Sequence, residues 1–301
     1  MPFEPDPMDP RPIADGDDVL ETESVTTIVD DGTGLSYLNA SERADATVAG
    51  KVSYTIDRAG LQLTGFVPET MKPEPGWGGV AGQAFSVTYA FRADAPSRMP
   101  SDTDGFQRFN SQQIIQAEQA LLAWSDVANI TFVRVGAGTE GETAYSNNAA
   151  ILFGNYTSGE SGSAAFANYP GSTASFSSAG DVWVNITAGT NSFPQPGNYG
   201  AQVLIHETGH AIGLAHPGDY NASATGVITY STDAEYYEDS RQYTVMSYFS
   251  ETNTGASYNG RYAATPQLDD IRAAQYEYGP NMTTRTGDTV YGFNSNAGRD
   301  W

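Results

Sequence analysis

The three histidines of this 301-residue chain lie within one short stretch, at positions 206, 210 and 216. His206 and His210 are four residues apart, so on a helix their imidazoles lie on one face and can reach a common point. His216 cannot join them on an unbroken helix, because six more residues carry it about 9 Å along the axis and onto another face. The helix must therefore end before His216, and Gly213 can adopt the positive φ that reverses the chain.

Three neutral imidazole nitrogens are typical of zinc at a catalytic site. Zn²⁺ binds nitrogen ligands at about 2.0–2.1 Å, and a catalytic site leaves the fourth tetrahedral position to water. Glu207 follows the first histidine and is placed to take a proton from that water and pass it to a leaving amine. The pattern predicts one catalytic Zn²⁺ held by His206, His210 and His216, with Glu207 as the general base.

A second group of candidate residues lies in the segment Tyr243 to Tyr248. The thioether of Met246 does not compete with imidazole for Zn²⁺, so this residue is predicted to form an apolar floor beneath the histidines. The phenol of Tyr248 could approach the metal or hydrogen-bond the oxyanion that forms during hydrolysis. Tyr248 is one of eighteen tyrosines, so only its context makes it a candidate.

The elements that position these groups can be predicted from hydrophobic periodicity. Strands are expected over 85–91, 130–135, 150–155 and 181–186, and helices over 111–124, 198–214 and from 265. In the last helix, Pro266 is expected at the first position and Gly279-Pro280 at the end. The interleaved strands and long helices predict an α+β fold.

Composition excludes several classes of function. The formal net charge of −22 repels phosphate backbones and anionic headgroups, so neither nucleic acid nor membrane is an expected partner. The chain has no cysteine, which excludes disulfides, thiolate metal sites and a thiol nucleophile. Residues 1–21 have neither the cationic start nor the apolar run of a Sec-type signal, and residues 1–46 as a whole suggest an acidic, loosely ordered leader.

The sequence resembles the serralysins, a branch of the metzincin zinc proteases. The resemblance rests on HETGHAIGLAHPGDYN at 206–221 and on VMSY at 245–248, and it extends to 123–127, 162–170 and 281–296. It implies a metzincin catalytic domain over 47–280, with a twisted mixed sheet, an active-site helix and a Met-turn. A propeptide-like extension would occupy 1–46, and a truncated calcium-binding β-roll domain would begin at 281–301.

The resemblance also implies the activity. A protein of this family is expected to be a monomeric, secreted zinc endopeptidase of broad specificity that cuts protein and peptide substrates. Its export would use no N-terminal Sec signal, and structural Ca²⁺ would bind to a full-length form.

Site residues follow from the same resemblance. Zinc ligands are His206, His210 and His216, Glu207 is the base, Tyr248 is a switchable fifth ligand, and Met246 and Gly213 support the site. The edge strand for substrate corresponds to Ala164, Ala165, Phe166 and Ala167. Backbone carbonyls of Arg285, Gly287 and Thr289 would begin a partial calcium site, whose carboxylates would lie beyond Trp301.

Two alternatives remain open from the sequence alone. A metal-binding module without turnover would need the histidines but neither Glu207 nor Tyr248. A calcium-dependent structural domain would account for the acidity and would bind no zinc.

Overall fold

The computed structural model describes residues 6–7, 43, 47–65, 76–101, 103–159, 164–171, 178–220, 227–291 and 294–298. The strands in these ranges are β1 Asp6–Pro7, β2 Thr47–Val48, β3 Lys51–Val52, β4 Phe85–Phe91, β5 Thr103–Asp104, β6 Ile130–Arg134, β7 Ile151–Tyr156, β8 Ser158–Gly159, β9 Ala165–Ala167 and β10 Val182–Asn185. The α-helices are α1 Ile56–Leu63, α2 Ser111–Val127, α3 Tyr199–Ala211, α4 Tyr230–Asp233 and α5 Leu268–Tyr278. Short 3₁₀ turns cover Glu142–Ala144 and Glu251–Thr254.

One mixed sheet organises the domain, with the strand order β1-β9-β10-β7-β4-β6. Strand β4 runs parallel to β6 and β7, and β7 runs parallel to β10. Strand β9 is antiparallel to β10, and β1 is antiparallel to β9. All six residues of the central strand β7 are buried, as expected where both faces of a sheet are covered. The mixed sheet and long helices confirm the predicted α+β fold.

The long helices begin where side chains cap them. Asn110 and Gln113 form a capping box at the start of α2, and Asn198 caps α3 by accepting from the Ala201 N–H. The prediction that Pro266 takes the first position of the last helix is wrong, because α5 begins at Leu268. The Asp270 carboxylate accepts the Gln267 N–H at 2.7 Å, which fixes the start there.

The core lies between the sheet and helices α2 and α3. Trp124 of α2 is fully buried, and its indole Nε1 donates to the Ile205 carbonyl of α3 at 3.0 Å. Large buried side chains complete this core, among them Phe91 and Phe153 of the sheet, Ile114 of α2 and Phe109, which lies just before α2. The two helices are thereby held in a fixed relation, with α3 against the sheet.

Arg43 lies before the first helix and is anchored deep in the domain. Its guanidinium forms two hydrogen bonds to the Asp269 carboxylate, at 2.7 and 2.8 Å, and a third from Nε to the Tyr54 carbonyl at 2.9 Å. Glu238 lies 3.5 Å from the same Nε and accepts the Tyr54 N–H. Arg43 is 2% exposed, so this ion pair is shielded from solvent. The start of α5 is therefore bonded to a residue far upstream in the chain.

Among the described helices, none has the length and apolar character needed to span a membrane.

Candidate metal centre

Helix α3 carries the first two histidines and Glu207, all fully buried. The helix ends at Ala211, and Gly213 has a φ of +116°, in the range that favours glycine. The Leu214 N–H donates back to the Gly209 carbonyl at 2.9 Å, so the chain turns directly after the helix. This turn carries His216 to the two histidines of α3.

The three imidazoles converge on one point. His216 Nε2 lies 3.2 Å from His210 Nε2 and 3.3 Å from His206 Nε2. Nitrogens bound tetrahedrally to zinc at about 2.0–2.1 Å are about 3.3–3.4 Å apart. The spacing therefore fits a single Zn²⁺ ion, and within the described residues this is the one group of three or more potential ligands.

Backbone carbonyls fix the tautomer of every histidine. Nδ1 lies 2.8 Å from the Val245 carbonyl for His206, 2.6 Å from the Leu214 carbonyl for His210, and 3.0 Å from the Tyr220 carbonyl for His216. A carbonyl only accepts, so each Nδ1 carries the proton and each Nε2 presents a lone pair to the centre. Three lone pairs this close repel one another, and a cation between them removes that repulsion.

The electrostatic environment of His206 favours its neutral form. Burial lowers the pKa of His206 well below its ordinary value of 6.5, and His210 and His216 lower it further. Neutral imidazole is the form that binds metal. His206 is therefore in its metal-binding form at neutral pH.

Met246 forms the floor beneath the helix and is fully buried. A Cβ built on Gly209, between the two helical histidines, would lie 2.6 Å from Met246 Sδ and 3.1 Å from the Trp124 ring. Any Cβ there would displace the thioether, so Met246 lies directly against the α3 backbone. A glycine inside a helix lowers the stability of that helix, so Gly209 is a sequence signal for a close contact. The sequence prediction did not use this signal.

Tyr248 lies beside the third ligand and is half-buried. Its ring centroid is 4.5 Å from that of His216 and 6.3 Å from that of His206. Tyr220 stacks on His216, with ring centroids 5.3 Å apart and an angle of 17° between the planes, and its ring lies 5.1 Å from that of Tyr248. The phenol of Tyr248 therefore belongs to the immediate surroundings of the metal position.

Two buried aspartates support the histidines, and no sequence pattern pointed to them. Asp239 accepts hydrogen bonds from the hydroxyls of Tyr220 at 2.8 Å and Ser247 at 2.7 Å, which links the third ligand to the Met-turn. Asp270 accepts from the Thr244 hydroxyl and the Val245 N–H, next to the carbonyl that binds His206. Burial raises the pKa of each carboxyl to about 7.

The segment predicted to bind substrate lies at one side of the sheet. Ala164, Ala165, Phe166 and Ala167 are buried, and the last three form β9. On its outer edge, β9 pairs with β1, with Asp6 opposite Ala167. Residues 162–163 of the predicted segment lie outside the described residues.

The predicted calcium residues lie near one another in a loop. The Thr289 hydroxyl is 3.4 Å from the Arg285 carbonyl and 3.3 Å from the Gly287 carbonyl. Arg285 has a φ of +50°, and its guanidinium donates to Asp126 at 2.5 Å. The calcium assignment stays a prediction.

Comparison with known proteins shows the family. A family model described as metallo-peptidase family M12 matches residues 90–258, and one described as peptidase M10 serralysin C terminal matches residues 280–301. Serralysin C of Dickeya chrysanthemi is 43% identical over 288 residues, which cover 95% of this chain and 57% of that protein. The chain belongs to the serralysin family of metallopeptidases.

Other relatives show the same partial coverage. Metallopeptidase AprA of Pseudomonas marginalis is 43% identical over 262 residues, covering 85% of this chain and 51% of the relative. The serralysin of Photorhabdus sp. (strain Az29) is 44% identical over 221 residues, covering 73% of this chain and 44% of the relative. This serralysin-family chain thus spans about half the length of the curated relatives that it matches.

Proposed function

We propose that this chain is a zinc endopeptidase that hydrolyses internal peptide bonds of proteins with broad specificity, acting as a monomer. The observation that carries the proposal is the convergence of three Nε2 atoms at zinc-binding distance, each with its Nδ1 bonded to a carbonyl. The serralysin and metallopeptidase names of its relatives agree with this activity. The preference for zinc over other divalent ions follows from an all-imidazole ligand set at tetrahedral spacing.

In the proposed mechanism, His206, His210 and His216 would hold Zn²⁺, which when bound would supply Lewis-acid chemistry by polarising the substrate carbonyl and lowering the pKa of water. The Glu207 carboxylate takes a proton from the attacking water and transfers it to the leaving amine nitrogen, so the peptide C–N bond breaks without an acyl-enzyme. Tyr248 donates a hydrogen bond from its phenol to the carbonyl oxygen as negative charge develops there. Met246 positions α3 and does not contact substrate.

The proposed division of the chain follows the same reasoning. We propose a propeptide-like extension at the N-terminal end, a catalytic domain through 280, and the start of a calcium-binding β-roll over 281–301. The pairing of β1 with the proposed substrate strand β9 supports an inhibitory role for the extension. Because Arg43 is bonded inside the domain, we place the start of the catalytic domain at or before this residue rather than at 47.

We further propose that the protein acts outside the cell and is exported without a Sec-type signal, with Ca²⁺ bound in its β-roll. The family resemblance supports both statements. Fractionation of an expressing culture, with calcium analysis of the secreted fraction, tests them. Retention of the active protein inside the cell would contradict the proposed export.

The activity is tested by zinc analysis and by casein hydrolysis. We expect one zinc per chain and loss of hydrolysis on chelation. The isosteric change Glu207→Gln should keep the zinc and lower kcat/KM by about 10²–10⁴-fold, the usual contribution of a general base. Glu142→Gln is the matched control, since the Glu142 side chain is 83% exposed in an ion pair with Arg108. A Glu207→Gln variant with full activity would refute the mechanism, and zinc binding without turnover on any denatured protein would favour a binding module.

A further inference from the structure

The turn between the second and third histidines is held by two side chains from distant parts of the chain. Helix α3 ends at Ala211, and the carbonyls of a last helical turn have no partner within the helix. Ala211 and Ile212 are both fully buried, so water does not replace those partners. The indole Nε1 of Trp77 donates to the Ala211 carbonyl at 2.8 Å, and the phenol of Tyr278 donates to the Ile212 carbonyl at 2.5 Å.

The two donors are themselves connected. The Trp77 N–H donates to the Tyr278 phenol oxygen at 3.1 Å, and the Gly76 N–H donates to the Glu277 carboxylate. Tyr278 is fully buried at the end of α5. The segment 76–77 and the last turn of α5 therefore act as one clamp on the end of α3.

The clamp is closely packed against the turn. A Cβ built on Gly213 would lie 3.3 Å from the Cα of Gly76, so the two backbones are in direct contact. A Cβ built on Gly76 would lie 2.8 Å from the Ile212 carbonyl oxygen and would overlap the Tyr278 phenol oxygen. The position of the turn is thus set by contact as well as by hydrogen bonds.

The same turn carries bonds to the metal ligands. The Leu214 carbonyl accepts from His210 Nδ1 at 2.6 Å, and the Ala215 N–H donates to the Leu63 carbonyl at 2.6 Å. His216 follows directly. A rotation of the peptide at Ile212 would therefore move the acceptor of one ligand and the Nε2 of another.

We propose that Tyr278, together with Trp77, is a positioning residue for the metal centre. By holding the Ile212 carbonyl, the Tyr278 phenol sets the direction in which the chain leaves α3 and thereby the place of His216 Nε2. The inference rests on the proposed zinc site. The inference concerns only the Tyr278 hydroxyl group, because a phenylalanine at this position would fill the core with the same ring.

The test compares Tyr278→Phe with Tyr145→Phe in the full chain. The Tyr145 phenol also donates to a backbone carbonyl, that of Phe109, at 2.7 Å, but it lies outside the turn. The readouts are the zinc dissociation constant from competition with a chromophoric chelator, the visible spectrum of the cobalt-substituted protein, and the urea midpoint. Loss of an outer partner of a metal ligand typically weakens metal binding about 10–100-fold.

We expect Tyr278→Phe to change the cobalt spectrum and to weaken zinc binding about tenfold, the lower end of that range, because Tyr278 acts through the turn and does not bond a ligand directly. Tyr145→Phe should leave both unchanged while shifting the urea midpoint by a similar amount. Trp77→Phe removes the other donor and should weaken zinc binding in the same direction, which keeps the test valid if Tyr278→Phe does not fold. Unaltered zinc affinity and cobalt spectrum in both variants would overturn the inference alone. A parent chain that binds no zinc would instead overturn the proposed function.

Discussion

Single residues outside the histidine motif determine how the metal centre is built. Asp239 is the clearest case, since it is fully buried and joins the hydroxyls of Tyr220 and Ser247 on one carboxylate oxygen. Its other oxygen, Oδ2, has no hydrogen-bond partner among the described residues. A carboxyl in such a place favours the protonated form, which is why its pKa rises from 3.8 to about 7.

This raised pKa predicts a pH-dependent stability. Between about pH 4 and 7 the folded state binds a proton at Asp239 that the unfolded chain releases, so this contribution is complete below pH 4 and is lost as pH rises through 7. Relative to the parent, Asp239→Asn should gain up to about 1.4 kcal/mol in unfolding free energy per pH unit across that interval. Urea unfolding of both proteins in their zinc-free form, at pH 5 and pH 8, measures the difference. A difference that does not change with pH would contradict the prediction.

At the residue scale, the sequence predicted the metal ligands but not the residues that support them. Its spacing identified the three histidines and Gly213, because the distances in the chain translate directly into helical geometry. It did not identify Asp239 or Tyr278: Asp239 contacts residues 8 and 19 positions away, Tyr278 contacts a residue 66 positions away, and no periodic pattern encodes these contacts. The set of metal ligands could therefore be predicted from the sequence. The hydrogen bonds that support these ligands could not, because the contacts arise only in the folded chain.

At the scale of elements, helix boundaries follow capping groups more closely than hydrophobic periodicity, whereas periodicity was sufficient for the strands. The predicted strands agree with β4, β6, β7 and β10 to within a residue at each end. The start of α5 was missed because Asp270 both caps the Gln267 N–H and accepts from the Val245 N–H, which belongs to the Met-turn. A tertiary contact thus decides where this helix begins. The same helix start carries Asp269, which pairs with Arg43.

The pairing of Arg43 and Asp269 predicts a large stability effect at one position. Arg43→Leu leaves a buried carboxylate without its cation, and losses of this kind are about 3–5 kcal/mol. Arg272→Leu, which breaks a pair with Asp57 that is 37% and 69% exposed, should lower the unfolding free energy by less than about 1 kcal/mol. The double variant Arg43→Leu with Asp269→Leu should recover much of the loss. Chemical denaturation of the three variants measures their free energies of unfolding. Equal decreases for Arg43→Leu and Arg272→Leu would rule out a buried ion pair.

At the scale of the whole molecule, charge is the dominant feature. The chain carries 36 acidic and 14 basic residues. A field of one sign attracts oppositely charged ligands at low ionic strength and is screened over about 10 Å at 0.1 M salt. The acidity therefore bears on which peptides approach the site, and it says nothing about the fold.

Net charge predicts opposite salt responses for two matched peptides. A peptide with flanking lysines should lose kcat/KM severalfold as salt increases from about 0.05 to 0.5 M, since screening removes the attraction. The same peptide with flanking glutamates should gain over that interval. Initial rates with two quenched fluorescent peptides, one of each kind, measure both salt responses. Identical salt profiles for the two peptides would show that the charge does not act on substrate.

The bonds from the three Nδ1 atoms to main-chain carbonyls have a further consequence for how the metal is acquired. Every imidazole is already oriented and already in the correct tautomer in the folded chain. These bonds restrict rotation of the rings, so folding of the chain bears part of the entropy cost of ordering the ligands. The affinity for the ion then depends less on rearrangement of the ligands than on dehydration of the ion and on its bonds to the three nitrogens.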